Sequence, residues 1–173
     1  KKSKKVKVVT PTWLAALQFD VDAVTYQSLF VTDLYTKCSR LYEDKSKILA
    51  DLEVLIIDEI SMVGNAAFDV MDCLLRRYCN SGKEKDEPFG GVQVIIVGDF
   101  GQLPPIMKDK KTLTCPNMIK QTGYAFEALA WKGLDIHVKQ LSVSKRVVVK
   151  NTDSYHKFLN IMGNIRMGNG STI

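Results

Sequence analysis

The sequence has no apolar run long enough to cross a bilayer, and its first residues, "KKSKKVKVVTP", lack the apolar stretch of a secretory signal. The expected location is therefore inside a cell, with nucleus, mitochondrion and cytoplasm not distinguished. Its four cysteines, Cys38, Cys73, Cys79 and Cys115, form no CxxC pair, and its two histidines, His137 and His156, stand apart. That pattern argues against a zinc site and for reduced thiols used as small packing residues. There is no internal repeat, and no low-complexity tract beyond the lysines at the start.

What remains is an ordinary globular mixture. Of 173 residues, 46% are hydrophobic and 25% charged, which excludes a disordered chain and suits a single core. One domain spanning residues 1–173 is the expectation. The formal charge is +5, and five of the first seven residues are lysine. A polyanionic partner would account for this, and so would a solvated surface or a nuclear targeting run.

Three segments share one pattern: "VKVVTPT" (6–12), "LEVLIIDE" (52–59) and "VQVIIVGDFGQ" (92–102). Each is β-branched and apolar and ends in small, polar or acidic residues, as strands of a buried parallel sheet do. A fourth, "DIHVKQLSV" (135–143), alternates and reads as a less buried strand. Between them, 66–79 places Phe68, Met71, Leu75 and Tyr78 on one helical face behind an Asn65 cap, and 153–166 does the same with Tyr155, Phe158, Leu159 and Met162. The charged, turn-rich segment 80–91 reads as an exposed loop. Strand then helix, repeated, predicts an α/β fold with helices on both faces of a mainly parallel sheet. Ligands of such folds sit beyond the carboxyl ends of the strands, where Asp58, Glu59, Asp99 and Gln102 gather.

An acid at the tip of a buried strand can hold Mg²⁺, which prefers hard oxygen ligands and keeps several waters; the next carboxylate can orient a water for attack on a phosphate. Equally, "DE" can simply close a strand and cap the next turn. The segment "PFGGVQVIIVGDFGQLPPI" (88–106) bears on the choice. Gly98 and Gly101 leave room for close backbone approach, Asp99 ends a second buried strand, and Gln102 carries an amide able to sense a γ-phosphate. Pro104 and Pro105 stiffen the loop after Gln102.

"LIIDEISMV" followed by "PFGGVQVIIVGDFGQLPPI" resembles motifs II and III of the Pif-type DNA helicases of superfamily 1, relatives of the RecD-like enzymes. "VKVVTPTWLAA" resembles motif Ia, "VTYQSLF" the threonine and serine element after it, "YAFEALAWK" the segment after motif III, and "LNIMGNIRMG" a helix beyond motif IV. The resemblance covers nearly the whole chain. It implies part of a RecA-like motor domain of an ATP-dependent helicase moving 5′ to 3′ on single-stranded DNA and acting at DNA junctions. On that likeness ATP is the substrate, Asp58 holds Mg²⁺, Glu59 positions the hydrolytic water, and Gln102, beside Asp99, reads the γ-phosphate. Arg146 of "VSKRV" falls near the motif IV arginine, and Thr10, Pro11, Thr12, Thr25 and Ser28 lie along the DNA. Repair, recombination and telomere maintenance are all compatible with it.

Four departures stand out. Trp13 occupies a position that is usually small, where it could stack on a base or pack into the core; Gln27 replaces a frequent histidine; and "KRV" replaces "FRQ". No GxxxxGK[ST] phosphate cradle occurs, so the N-terminal P-loop unit is expected to be absent from this chain, which alone would hydrolyse little ATP. A non-catalytic nucleic-acid-binding module derived from the same fold is the alternative.

Overall fold

The structure is a computed structural model that describes residues 4–30, 43–79, 86–106, 123–141 and 152–168. The chain divides into two units, Lys1–Leu134 and Asp135–Ile173.

In the first unit the apolar β-branched segments form the strands β1 (Val6–Thr10), β2 (Ala23–Thr25), β3 (Val54–Ile57) and β4 (Gln93–Ile96). They make one parallel sheet in the order β2-β1-β3-β4, with Thr10 beside Thr25, Val9 beside Ile57, and Ile57 beside Ile96. Because every strand runs the same way, all four carboxyl ends lie along one edge. The described helices of this unit are α1 (Trp13–Ala16), α2 (Tyr26–Phe30), α3 (Glu43–Ala50), α4 (Asn65–Tyr78) and α5 (Leu129–Lys132). Sequence periodicity reveals only α4 among them, since the others are too short or too polar for an apolar stripe to register. The three-residue β2 escapes for the same reason.

The helix α4 forms because Phe68, Met71, Leu74 and Leu75 recur every three or four residues, and all four are buried. Arg76 and Arg77 close its last turn, where cations suit the helix dipole. Asn65, expected as its cap, is instead the first helical residue. Gly64 holds the extended cap position, and Asn65 Oδ1 accepts the Ala66 N–H at 2.9 Å. Val9, Leu55 and Ile57 meet α4 in the core, while strand alternation turns Val6, Val8, Ile56 and Ile95 to the opposite face. That second face is less covered, for Val6 and Ile95 are exposed.

In the segment expected to be an exposed loop, Asp86 and Glu87 are exposed, but residues 88–91 form a plug. Phe89 is fully buried and meets Phe68 edge-on at 5.2 Å. Asp72 fixes it: one carboxylate oxygen accepts the Phe89 N–H at 2.6 Å and the other accepts Arg76 Nε at 2.7 Å. Gly90 sits at φ 60°, and a Cβ there would lie 2.7 Å from the Leu75 carbonyl oxygen. Turn-forming composition is thus explained by backbone geometry rather than by exposure; residues 80–85 lie outside the described set.

In the second unit, 135–141 forms no strand, and 142–143 lies outside the described residues. Alternation alone does not make a strand without a ladder partner, and none exists among the described residues. The helix α6 (Thr152–Arg166) forms as the periodicity predicts, with Phe158, Leu159 and Met162 exposed and the Tyr155 side chain outside the described set.

Candidate functional site

β3 ends at Ile57, so Asp58 is the first residue past the ladder. Its N–H donates to the Val9 carbonyl at 2.9 Å, while Val97 N–H donates to Ile57 at 2.8 Å and Ile60 N–H to Val97 at 3.0 Å. The acidic pair is thereby stitched to β1 on one side and to the end of β4 on the other. Both acids are half-buried. Glu59 sits in the left-handed region at φ 51°, ψ 49°, which costs a residue with a side chain roughly 1–2 kcal/mol. Strain of this kind persists only where its surroundings over-determine it.

Gly98 supplies the reason the two strand ends can touch. It adopts φ 149°, and a Cβ would come within 2.8 Å of Ile60 N and 3.4 Å of the Glu59 carbonyl carbon. Beyond it, Asp99 folds its own turn: Oδ1 accepts the Gly101 N–H at 2.9 Å, and its backbone carbonyl accepts the Gln102 N–H at 2.9 Å. Gln102 Nε2 leans on Asp99 Oδ2 at 3.5 Å from an exposed position. Asp99 is therefore an organiser of the turn that presents Gln102, and the structure brings Asp58, Glu59, Asp99 and Gln102 onto neighbouring strand ends.

An aromatic cluster that sequence reasoning missed holds this turn from below. Phe100 meets Phe126 at 4.9 Å, Tyr124 at 5.9 Å and Trp131 at 6.0 Å, and Trp131 meets Phe68 of α4 at 5.4 Å. The signal was the density of aromatics in "GYAFEALAWK", which shows no helical or strand period. Asp69 of α4 joins the same region, accepting the Ala130 N–H at 2.8 Å and the Leu129 N–H at 3.4 Å at the start of α5. Desolvation raises its carboxyl above the usual range despite those two donors. Burial likewise pushes up the Cys73 thiol, with the Asp72 carboxylate adding to the effect. Cys38 and Cys115 lie outside the described residues.

The β1 and β2 ends carry hydroxyls. Thr10 is fully buried and donates to the Thr12 carbonyl at 2.8 Å, so its hydroxyl faces inward. Thr12 Oγ1 accepts the Ala15 N–H and Thr25 Oγ1 the Ser28 N–H, each at 3.2 Å. The Ser28 hydroxyl donates to the Thr25 carbonyl at 2.7 Å. Pro11 is half-buried between them. Gln27 buries its amide oxygen, which finds no partner among the described residues. Trp13 does not join the core. Arg146 lies outside the described residues.

No described group of three or more His, Cys, Asp or Glu side chains converges as a metal cage, and no described helix is long and apolar enough to cross a membrane. A lone strand-end carboxylate such as Asp58 fits an ion that takes most of its ligands from water and phosphate, as Mg²⁺ does.

Known proteins are similar to this chain in sequence and fold. ATP-dependent DNA helicase PIF1 of Saccharomyces cerevisiae is 35% identical over 119 residues, 69% of this chain and 12% of its own. The Pif1 helicase of Campylobacter jejuni is 28% identical over 168 residues, 90% of this chain and 34% of its own. The solved structure of Pif1 helicase from Bacteroides in complex with ADP-AlF3 and single-stranded DNA superposes with a TM-score of 0.73 at 32% identity, covering 96% of this chain and 37% of that one. The chain thus spans well under half the length of these relatives. The PIF1-like helicase profile matches residues 2–172, and the chain belongs to that family.

Proposed function

We propose that residues 1–173 are the central part of the RecA-like motor domain of an ATP-dependent DNA helicase, one that couples ATP hydrolysis to 5′-to-3′ movement on single-stranded DNA and to unwinding at junctions. The observation that carries this reading is the contact of two strand ends, in which Gly98 lies against the strained Glu59–Ile60 backbone and so sets Asp58 and Glu59 beside the turn bearing Gln102. The solved Bacteroides relative that holds ADP-AlF3 and single-stranded DNA supports the same ligands here.

In this reading Asp58 holds Mg²⁺ through one carboxylate, and the ion when bound neutralises charge on the triphosphate. Glu59, held by its backbone in one orientation, aligns the attacking water and takes its proton. Gln102 hydrogen-bonds the γ-phosphate through an amide whose nitrogen rests on Asp99, so loss of the phosphate is felt by the Asp99–Gln102 turn and by the Phe100 cluster beneath it. Thr12 and Thr25 keep their hydroxyl hydrogens available for backbone phosphates; the Thr10 and Ser28 hydroxyls are committed to carbonyls and, with Pro11, shape the same edge.

The test is Glu59→Gln in the full polypeptide. DNA-stimulated ATP hydrolysis should fall by about 10²- to 10⁴-fold, the usual worth of a positioned base, while nucleotide and oligonucleotide binding persist. Unchanged hydrolysis would remove Glu59 from the mechanism.

A further inference from the structure

A tryptophan side chain ordinarily buries 150–250 Å² or so and dominates whatever core it joins. Trp13 does neither: it is 68% exposed, and Leu14 on the same short helix and Leu17 just past its end are 70% and 59% exposed. Only Ala16 of α1 is buried, and the helix is fixed by hydroxyls instead, with Thr12 capping Ala15 and Thr10 donating to the Thr12 carbonyl. The outward apolar side chains therefore contribute little to holding α1 in place. Trp13 directly follows Thr12, and Thr10, two residues earlier, pairs with Thr25 on the neighbouring strand. Thr12 and Thr25 each accept a backbone N–H through Oγ1 and so retain a hydroxyl hydrogen to give.

A nucleotide presents two surfaces, a phosphate that accepts hydrogen bonds and a flat base that stacks. The strand ends offer donors for the first and, one residue away, an indole for the second. We infer that Trp13 is a stacking platform for an unpaired base of single-stranded DNA whose phosphates lie on Thr12 and Thr25. This rests on the helicase reading for its ligand. Stacking of this kind is tolerant of sequence, so it suits a protein that moves along the strand.

The experiment measures fluorescence anisotropy of labelled oligo(dT) with the full polypeptide, the Trp13→Ala and Trp13→Phe variants, and an oligonucleotide carrying abasic sites. Trp13→Ala should weaken oligo(dT) binding by about 5- to 150-fold with an unaltered salt slope, and Trp13→Phe should recover most of the loss. Abasic sites should weaken the parent protein but make little further difference to Trp13→Ala. Equal binding by Trp13→Ala overturns the inference and leaves the helicase reading standing. So does weakened binding without abasic discrimination, or a fall of several degrees in the thermal midpoint of the DNA-free variant, either of which assigns Trp13 to packing against another part of the protein. Failure of the parent protein to bind oligo(dT) overturns both.

Discussion

At the β3 and β4 ends the backbone is forced: Glu59 takes φ 51°, Gly98 takes φ 149°, and three interstrand hydrogen bonds of 2.8–3.0 Å lock the acids in place. At the β1 and β2 ends it is relaxed, with turns closed by threonine and serine hydroxyls and apolar side chains left facing outward. The two pairs of ends lie along one edge of one sheet, yet under the proposed helicase reading they meet different physical demands. Hydrolysis is sensitive to sub-ångström placement, because stabilising a transition state depends on groups that need not reorganise. A surface that must release and re-grip a sliding strand works with short hydrogen bonds and stacking, which tolerate displacement.

The most severe way to break this contrast is Gly98→Ala. A Cβ 2.8 Å from Ile60 N must push the acid pair away from β4, so unfolding free energy from urea melts should drop by about 2–3 kcal/mol and hydrolysis should be lost. Stability within about 0.5 kcal/mol of the parent would mean that the junction is slack and the two ends are not built differently.

That junction was largely legible beforehand. Continuous apolar runs ending in Asp58 and Asp99 mark strands, so β3, β4 and the gathering of acids at their ends follow from the pattern; β4, expected to be buried, is instead only partly covered, with Gln93 and Ile95 exposed. The left-handed Glu59 was not legible, because nothing in residue type marks a glutamate for positive φ; the tertiary bonds on either side impose it. Nor was the burial of Phe89, since the Asp72 carboxylate that fixes it is 17 residues away. The alternation of 135–141 misled because a strand needs a neighbour, and the exposure of Trp13 went against the usual fate of an indole.

A second comparison sits at the relaxed end. Thr25→Ala removes the acceptor for the Ser28 N–H and should cost about 1 kcal/mol in the same melts, the usual worth of a capping side chain, with Thr25→Ser recovering most of it. The effect should be well below that of Gly98→Ala, and a larger one would reverse the contrast. A smaller effect still is expected within the acid pair. Glu59→Gly relieves the left-handed conformation at some entropic cost, so it should be more stable than Glu59→Ala by about 0.5–1 kcal/mol, with both inactive in an ATPase assay. Equal stability would show that the observed φ is not a stored cost.

The finest distinction separates a carboxylate placed for chemistry from one placed for structure, and Asp69 is the structural example. It accepts two N–H groups at the start of α5, while desolvation raises its carboxyl above the usual value of 3.8. A group whose folded pKa is raised holds its proton more readily folded than unfolded. Its contribution is therefore full below the unfolded value and is lost as pH rises through the folded one. Asp69→Asn keeps a carbonyl oxygen for Ala130 and cannot ionise. Its stability relative to the parent should rise from about pH 3 upward and level off once the folded carboxyl is ionised, whereas Asp69→Ala should be less stable by about 1 kcal/mol where the parent is ionised. Urea melts of the three proteins across that range decide it. A relative stability for Asp69→Asn that falls with pH would mean that the two N–H donors outweigh desolvation, and that Asp69 is held in its charged form as a helix-capping anion.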